Sequence, residues 1–210
     1  MKTGILKINE IFHSIQGEST LSGLPMVFVR LTGCSLRCTW CDTDYAFYAG
    51  QNMSVDEILE QVESFQCPLV EVTGGEPLDQ PAVIHLMQRL IEQEFQVNLE
   101  TSGAKDIRSV PREVKIIMDI KCPGSGMTER MDWKNLDHIK PTDEIKFVIK
   151  DRTDYLWAKN IMTKYCLNQN QVLFSPVYGI MGYQELADWI LEDHLNVRYQ
   201  IQMHKVIGVP

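Results

Sequence analysis

Strand-like and helix-like segments alternate along almost the whole chain of 210 residues. Period-two or β-rich patterning marks candidate strands at about 26–31, 69–73, 95–99, 114–120, 144–149, 171–174 and 197–201. Helical patterning marks candidate helices near 54–62, 81–91, 131–138, 153–165 and 183–194. Because parallel strands need long crossovers, this alternation predicts an α/β fold with a mainly parallel sheet covered by helices.

The length of the chain limits how far such a sheet can close. About six βα-type units are present, whereas a closed barrel usually takes about 250 residues. We therefore expect an incomplete (partial) parallel βα barrel or an open sheet, with the cysteine-bearing loop after the first predicted strand. No linker or low-complexity run divides the sequence, which predicts a single domain over residues 1–210. Hydrophobic residues at 44% and charged residues at 23% argue against disordered and fibrous classes.

The charge balance and the lack of a long apolar run disfavour several classes of partner. A net charge of -8 opposes broad contact with nucleic-acid phosphates or anionic lipid. No stretch of 18 apolar residues occurs, and no secretory apolar region precedes Asn9 and Glu10. We expect no nucleic-acid partner, no membrane contact and a cytoplasmic location.

Three of the six cysteines, Cys34, Cys38 and Cys41, lie close together in the spacing C-x3-C-x2-C. This crowding favours a metal site over a disulfide framework. Three thiolates supply only three of the four ligands of a usual zinc or iron-sulfur site. No second Cys or His pair has a zinc-type spacing, so a 4Fe-4S cluster with one open iron is favoured over zinc. Buried or redox-active thiols are the third possibility.

Two further polar segments follow predicted strands. Residues 73–77 (TGGEP) end the second strand, and residues 100–103 (ETSG) follow the third. Paired glycines permit tight turns and close ligand approach, and Glu76 offers an acceptor for an ammonium group. The alternative is that both segments are ordinary turns or helix caps. Catalytic groups of α/β folds lie at these carboxyl ends of strands.

The cysteine triplet and the GGE sequence together resemble the radical S-adenosylmethionine superfamily. The resemblance implies that the open iron of a 4Fe-4S cluster binds S-adenosylmethionine, which is cleaved to a deoxyadenosyl radical. It also implies a set of residues that contact S-adenosylmethionine. They are Trp40, Asp42, Gly75, Glu76, Glu100, Ser102, Asp119, Ile120, Lys121, Ser175, Pro176, Val177 and Tyr178.

More selective segments are residues 12–18 (FHSIQGE), residues 41–43 (CDT) and residues 203–205 (MHK). With them the chain resembles the 7-carboxy-7-deazaguanine synthase family over nearly its whole length. That family contracts the ring of 6-carboxy-5,6,7,8-tetrahydropterin, with loss of ammonia, on the way to queuosine and other 7-deazapurines. The resemblance implies a set of substrate contacts. They are Ile15, Gln16, Gly17, Glu18, Arg30, Thr73, His204 and Pro210.

The planar fork of Arg30 suits a substrate carboxylate, although a surface ion pair is the alternative. The resemblance further implies an Mg2+ ion that bridges Thr43 and that carboxylate, because Mg2+ keeps waters and shares oxygen ligands with substrates. The alternative for Thr43 is a simple turn. It also implies a homodimer and an electron donor such as flavodoxin.

Two departures from the family pattern affect these expectations. Ser19 and Thr20 follow the Gln-Gly-Glu sequence where a glycine is common, and residues 119–121 (DIK) replace a Ser-Pro-Lys segment. Two other functions stay open. One is an activase that installs a glycyl radical on a partner protein, and the other is a zinc-stabilised binding module.

Overall fold

The computed structural model describes residues 4–210, and within that range nine strands form a single sheet. The strands are β1 (Ile5–Ile15), β2 (Pro25–Leu31), β3 (Gln51–Ser54), β4 (Leu69–Gly74), β5 (Gln96–Thr101), β6 (Lys115–Ile120), β7 (Glu144–Ile149), β8 (Gln171–Pro176) and β9 (Arg198–Tyr199). The α-helices are α1 (Val55–Ser64), α2 (Val83–Glu92), α3 (Arg152–Lys164), α4 (Tyr183–Glu192) and α5 (Met203–Ile207).

The sheet order is β3-β1-β2-β4-β5-β6-β7-β8-β9, and every pairing from β2 to β9 is parallel. The two end strands, β3 and β9, do not pair with each other, so the sheet stays open. The predicted α/β fold with an unclosed parallel sheet is confirmed. In the described part of the chain, no helix is long and apolar enough to cross a membrane.

Helix α1 shows how local sequence sets an element boundary. Ser54 accepts a hydrogen bond from the Glu57 backbone N–H, and the Glu57 carboxylate accepts one from the Ser54 backbone N–H at 2.7 Å. This reciprocal pair satisfies two donors that a helix start would otherwise leave free. Val55, Ile58 and Val62 lie on one face of α1 and are buried against the sheet.

The two faces of the sheet differ in chemistry. In β4, Val70 and Val72 join the apolar core under the helices, whereas Glu71 and Thr73 alternate onto the opposite, interior face. Strand β7 repeats the pattern, with Ile145 and Phe147 in the core and Glu144 and Lys146 inside. The concave face of the sheet is therefore lined with buried polar groups.

Three sequence predictions of local structure are wrong. Residues 5–15 form a long strand, paired antiparallel with β2 and β3, so the cysteine-bearing loop follows the second strand. Residues 131–138 contain a 3-10 helix, Trp133–Asp137, because the Asn135 side chain binds the carbonyls of Gly103 and Lys105 and holds the segment tightly. The last strand is predicted at about 197–201, but in the structure β9 covers only Arg198–Tyr199.

Candidate active site

A cavity of about 610 Å³ opens at the carboxyl ends of the parallel strands. All eight predicted substrate contacts line it: Ile15, Gln16, Gly17, Glu18, Arg30, Thr73, His204 and Pro210. So do Cys34, Cys38, Cys41, Thr43 and nine of the predicted cofactor contacts: Trp40, Asp42, Gly75, Glu100, Ser102, Asp119, Lys121, Val177 and Tyr178. The fold thus brings together residues that are far apart in sequence.

Four predicted cofactor contacts, Glu76, Ile120, Ser175 and Pro176, do not line this cavity. Glu76 is fully buried and accepts hydrogen bonds from the Leu78 and Ser102 backbone N–H groups and from the Thr101 hydroxyl. Burial raises the pKa of the Glu76 carboxyl, and these hydrogen bonds oppose that rise. Glu76 therefore fixes the turn after β5, and its predicted contact with a ligand ammonium stays a prediction.

The three clustered cysteines are free thiols, each partly buried in the wall of the cavity. Within residues 4–210, no three His, Cys, Asp or Glu side chains are placed to hold one metal ion. In a 4Fe-4S cluster each cysteine would bind a separate iron, so the three thiolates need not converge on a single ion. The donor set therefore fits a cluster with three protein ligands. Burial raises the pKa of the Cys34 and Cys38 thiols, so metal binding must displace their protons.

The cysteine loop packs tightly against the loop after β4. The Glu76 backbone N–H donates to the Gly33 carbonyl at 2.8 Å. A Cβ at position 75 would overlap that carbonyl and lie 2.8 Å from Cys34 Cβ. Gly74 has a φ of 149°, a region that side chains disfavour. The two glycines are thus needed for the backbones to approach, whether or not they also touch a ligand.

Lys146 lies among three carboxylates inside the cavity. Its ammonium lies 2.7 Å from Glu18, 2.6 Å from Glu100 and 3.8 Å from Asp119, and its side chain is only 6% exposed. Burial alone would lower the pKa of this ammonium, but the surrounding carboxylates raise it well above its usual value. Lys146 therefore stays charged and joins the predicted substrate side of the cavity to the predicted cofactor side.

Glu71 lies beneath this group with only 2% of its surface exposed. It accepts a hydrogen bond from Gln16 Nε2 at 3.2 Å. Burial raises the pKa of Glu71 well above its usual value, and the nearby charge of Glu100 adds to the shift. Burial also opposes ionisation of Glu100, but Lys146 lowers the pKa of that carboxyl. The two neighbouring glutamates thus have pKa values shifted in opposite directions, upward for Glu71 and downward for Glu100.

Helix α5 covers one side of the opening. Its first residue, Met203, donates from its backbone N–H to the Gly17 carbonyl at 3.0 Å, which brings His204 over Gly17. Lys205 lies 2.5 Å from Asp42, and burial that would raise the pKa of Asp42 is outweighed by Lys205, which lowers it to about 2. The chain end is also held, since the Ser14 hydroxyl donates to the Pro210 carbonyl at 2.9 Å.

Thr43 precedes a 3-10 turn, Asp44–Phe47, but its hydroxyl does not cap that turn. Its oxygen lies 3.9 Å from Cys41 Sγ and faces the cavity wall. This hydroxyl, which hydrogen-bonds only to the Cys41 sulfur among the described residues, could supply one oxygen ligand to an Mg2+ ion, whose remaining positions waters and a substrate can fill.

Sequence reasoning missed several residues of the cavity wall, notably Lys146, Gln202 and Lys205 together with the aromatic residues Phe12 and Tyr45. Gln202 donates to Glu18 at 2.8 Å and to Asp42 at 3.0 Å. One sequence signal could have identified Lys146. It is a charged residue in a mostly apolar strand, and the alternation of side chains places it on the same face as Glu144.

Known proteins resemble this chain in sequence and in fold. The model of the Radical SAM superfamily matches residues 28–128. A 7-carboxy-7-deazaguanine synthase from Koribacter versatilis is 43% identical over 98% of both chains. Its counterpart from Chlorobaculum tepidum is also 43% identical, over 98% of this chain and 95% of its own.

Two solved structures share the fold at low identity. QueE from Escherichia coli superimposes with a TM-score of 0.77 at 21% identity and covers 95% of each chain. SuiB from Streptococcus suis, crystallised with S-adenosylmethionine, reaches 0.55 at 13% identity over 81% of this chain and 45% of its own. The fold similarity agrees with the sequence similarity and with three cysteines in the wall of one cavity. The chain belongs to the 7-carboxy-7-deazaguanine synthase family of radical S-adenosylmethionine enzymes.

Proposed function

We propose that this chain is a lyase that converts 6-carboxy-5,6,7,8-tetrahydropterin to 7-carboxy-7-deazaguanine with loss of ammonia, in queuosine and 7-deazapurine biosynthesis. One observation supports the proposal: the residues predicted to contact the substrate and to bind the cluster, although distant in sequence, line the same cavity. The cavity volume of about 610 Å³ lies in the range of small-molecule sites.

When bound, a 4Fe-4S cluster and S-adenosylmethionine would supply the radical chemistry for hydrogen abstraction from the substrate. The protein's own residues bind, orient and shield. Cys34, Cys38 and Cys41 would hold the cluster through three of its irons, and Arg30 would bind the substrate carboxylate. Gln16 and Glu18 present polar atoms to the pterin ring from the turn between β1 and β2.

The cavity also needs charge balance. Four acidic side chains, Glu18, Asp42, Glu100 and Asp119, and four basic ones, Arg30, Lys121, Lys146 and Lys205, line the cavity, so their formal charges balance. Around Lys146 and Lys121 the three carboxylates Glu18, Glu100 and Asp119 outnumber the two ammonium groups, and a cationic sulfonium is complementary to this part of the wall. Burial would lower the pKa of Lys121, but Asp119 raises it, so the Lys121 charge is maintained.

We further propose an Mg2+ ion on Thr43 that shares the substrate carboxylate with Arg30. This is supported by the position of the Thr43 hydroxyl in the cavity wall, where it does not cap the turn that follows. A test is turnover after chelation and readdition of Mg2+, with Thr43→Val beside Thr39→Val. Thr39 is the matched control because its hydroxyl donates to the Gly124 carbonyl and it does not line the cavity.

We also propose an electron donor, a second copy of this chain as a partner, and a cytoplasmic location. A one-electron donor such as flavodoxin is expected because a cluster must be reduced before it can act. Exposed apolar side chains such as Ile5, Ile180 and Leu191 suit a homodimer interface. Six free cysteines support a cytoplasmic location.

The deciding experiment is product analysis by mass spectrometry. Anaerobically reconstituted protein is incubated with the carboxytetrahydropterin, S-adenosylmethionine, Mg2+ and a reductant. We expect 7-carboxy-7-deazaguanine without stoichiometric deoxyadenosine, and iron content that falls in Cys38→Ala but not in Cys166→Ser, where the cysteine is exposed. Stoichiometric zinc without iron, or activation of a glycyl-radical partner without ring contraction, would refute the proposal.

A further inference from the structure

Arg30 and Glu10 face each other across neighbouring strands at the mouth of the cavity. The two residues are paired in the register of β1 and β2, which directs both side chains to the same face of the sheet. Arg30 Nε donates to Glu10 Oε1 at 2.7 Å. The Arg30 side chain is 15% exposed and that of Glu10 is 38% exposed, so the pair is partly shielded from water.

The same glutamate oxygen also accepts a hydrogen bond from the Tyr45 hydroxyl at 2.9 Å. Burial raises the pKa of that hydroxyl, so it keeps its proton and donates. Tyr45 belongs to the 3-10 turn that follows Thr43, so Glu10 connects strand β2 with the cysteine loop. One carboxylate thus fixes two elements that converge on the cavity.

Two aromatic rings also lie close to the Arg30 guanidinium. Arg30 Cζ lies 5.6 Å from the centroid of the Phe12 ring and 6.0 Å from that of Tyr45. Phe12 in turn stacks on Phe28 at 5.0 Å. Within residues 4–210, neither terminal nitrogen of Arg30 donates a hydrogen bond. The Nε edge of the guanidinium is occupied, and the end with two terminal nitrogens is free.

We propose that Glu10, assisted by Tyr45, is a positioning residue for substrate specificity: it occupies the Nε edge of Arg30 and presents the two terminal nitrogens to the substrate carboxylate. A carboxylate accepts both N–H groups in a bidentate geometry, whereas a carboxamide offers only one oxygen and directs donors at the other nitrogen. The proposal rests on the proposed function, because it assumes a carboxylated substrate at Arg30.

The test measures affinity for two ligands in the loaded enzyme without reductant, so that no turnover occurs. The ligands are the 6-carboxytetrahydropterin and its 6-carboxamide, and the reported quantity is the ratio of their dissociation constants. A purely structural defect would weaken both ligands equally and leave the ratio unchanged. S-adenosylmethionine affinity is measured in parallel.

We expect the wild type to prefer the carboxylate by at least about tenfold, the range of a hydrogen bond to a charged group. Glu10→Ala is expected to reduce this preference to below about threefold while leaving S-adenosylmethionine affinity within about twofold. Glu10→Gln keeps an acceptor for Arg30 Nε and is expected to keep most of the preference. Glu92→Ala is the matched control, because Glu92 also pairs with an arginine, Arg89 at 3.6 Å, away from the cavity.

An unchanged ratio in Glu10→Ala, or a tighter carboxylate complex caused by the loss of a nearby negative charge, would overturn the role of Glu10. Failure of the proposed function has a different signature, because the wild type would then bind neither pterin. The wild-type measurement therefore separates the two outcomes.

Discussion

Gly17 is a residue at which one methyl group decides the shape of the cavity. A Cβ at this position would overlap the His204 ring and lie 2.7 Å from the His204 backbone nitrogen. Gly17→Ala is therefore expected to push α5 away and to weaken pterin binding by about tenfold or more, since contacts of this size cannot be relieved by a rotamer change. Calorimetric titration with the carboxylated pterin measures the loss.

Gly182→Ala is the control for this change, because its nearest neighbour would be at an ordinary 3.5 Å and its φ is -65°. Equal pterin affinity in Gly17→Ala and wild type would mean that α5 adapts to the added methyl. Ser19, two residues later, shows a related constraint. It adopts a φ of 62°, and its hydroxyl accepts a hydrogen bond from the Leu21 N–H at 3.0 Å, which offsets part of the conformational cost.

Glu71 gives the protein a pH dependence of stability. Its pKa is raised in the fold, so above the ordinary glutamate value the unfolded chain loses a proton that the native state keeps. The unfolded state then binds fewer protons, and stability falls by up to about 1.4 kcal/mol per pH unit in that window. Glu71→Gln removes this ionisation and is expected to stabilise the protein at neutral pH.

Urea unfolding at pH 5, 6 and 7 tests this expectation. The free energy of unfolding of the wild type should decline relative to that of Glu71→Gln as the pH rises. Glu60→Gln, an exposed residue of α1, serves as the control and should follow the wild type. A constant difference between Glu71→Gln and wild type across this range would mean that Glu71 is ionised in the fold.

At the scale of elements, α5 depends on its neighbours. Five residues are too few for a helix that is stable alone in water, so its order must come from tertiary contacts. Lys205→Met removes the contact with Asp42 at 2.5 Å. We expect faster hydrogen exchange of the Gly208 amide, which donates to the His204 carbonyl at 2.9 Å, and weaker pterin binding.

Lys164→Met on α3 is the matched lysine change, since Lys164 lies over the Tyr165 ring outside the cavity. Exchange at Gly208 should stay at the wild-type rate in that variant. Unaltered exchange in Lys205→Met would show that the contacts of Gln202 and Met203 are sufficient to hold α5.

The elements also show what a single sequence can and cannot predict. Amphipathic stripes identify α1 and α2 well, because burial on one helical face imposes the period that the residues display. Strand β1 is missed because its residues are mostly half-buried and their alternation is weak. Motif spacing predicts the cysteines, and the family resemblance implies Arg30. Glu10 and Lys146 gain their roles only from cross-strand register and from carboxylates on other strands.

At the scale of the whole molecule, Lys146 forms ion pairs with residues from distant parts of the sequence. Its partners come from the turn after β1, from β5 and from β6, while Lys146 itself lies in β7. The Thr20 hydroxyl and backbone N–H bind Glu144 on the same strand, which draws that turn across the interior face. Charged contacts on the interior face thus connect the turn after β1 with strands β5, β6 and β7.

Lys146→Met tests how much stability depends on this arrangement. The substitution removes the cation between Glu18 and Glu100, while Lys121 still pairs with Asp119 at 2.8 Å, and breaking a buried pair costs about 3–5 kcal/mol. Urea unfolding should show a loss of that order. Lys159→Met, which breaks a more exposed pair with Asp193 at 2.6 Å, should have a much smaller effect. Equal losses in the two variants would mean that the interior cluster contributes no more to the free energy of unfolding than a more exposed ion pair. The sheet would then be stabilised by its apolar packing against the helices.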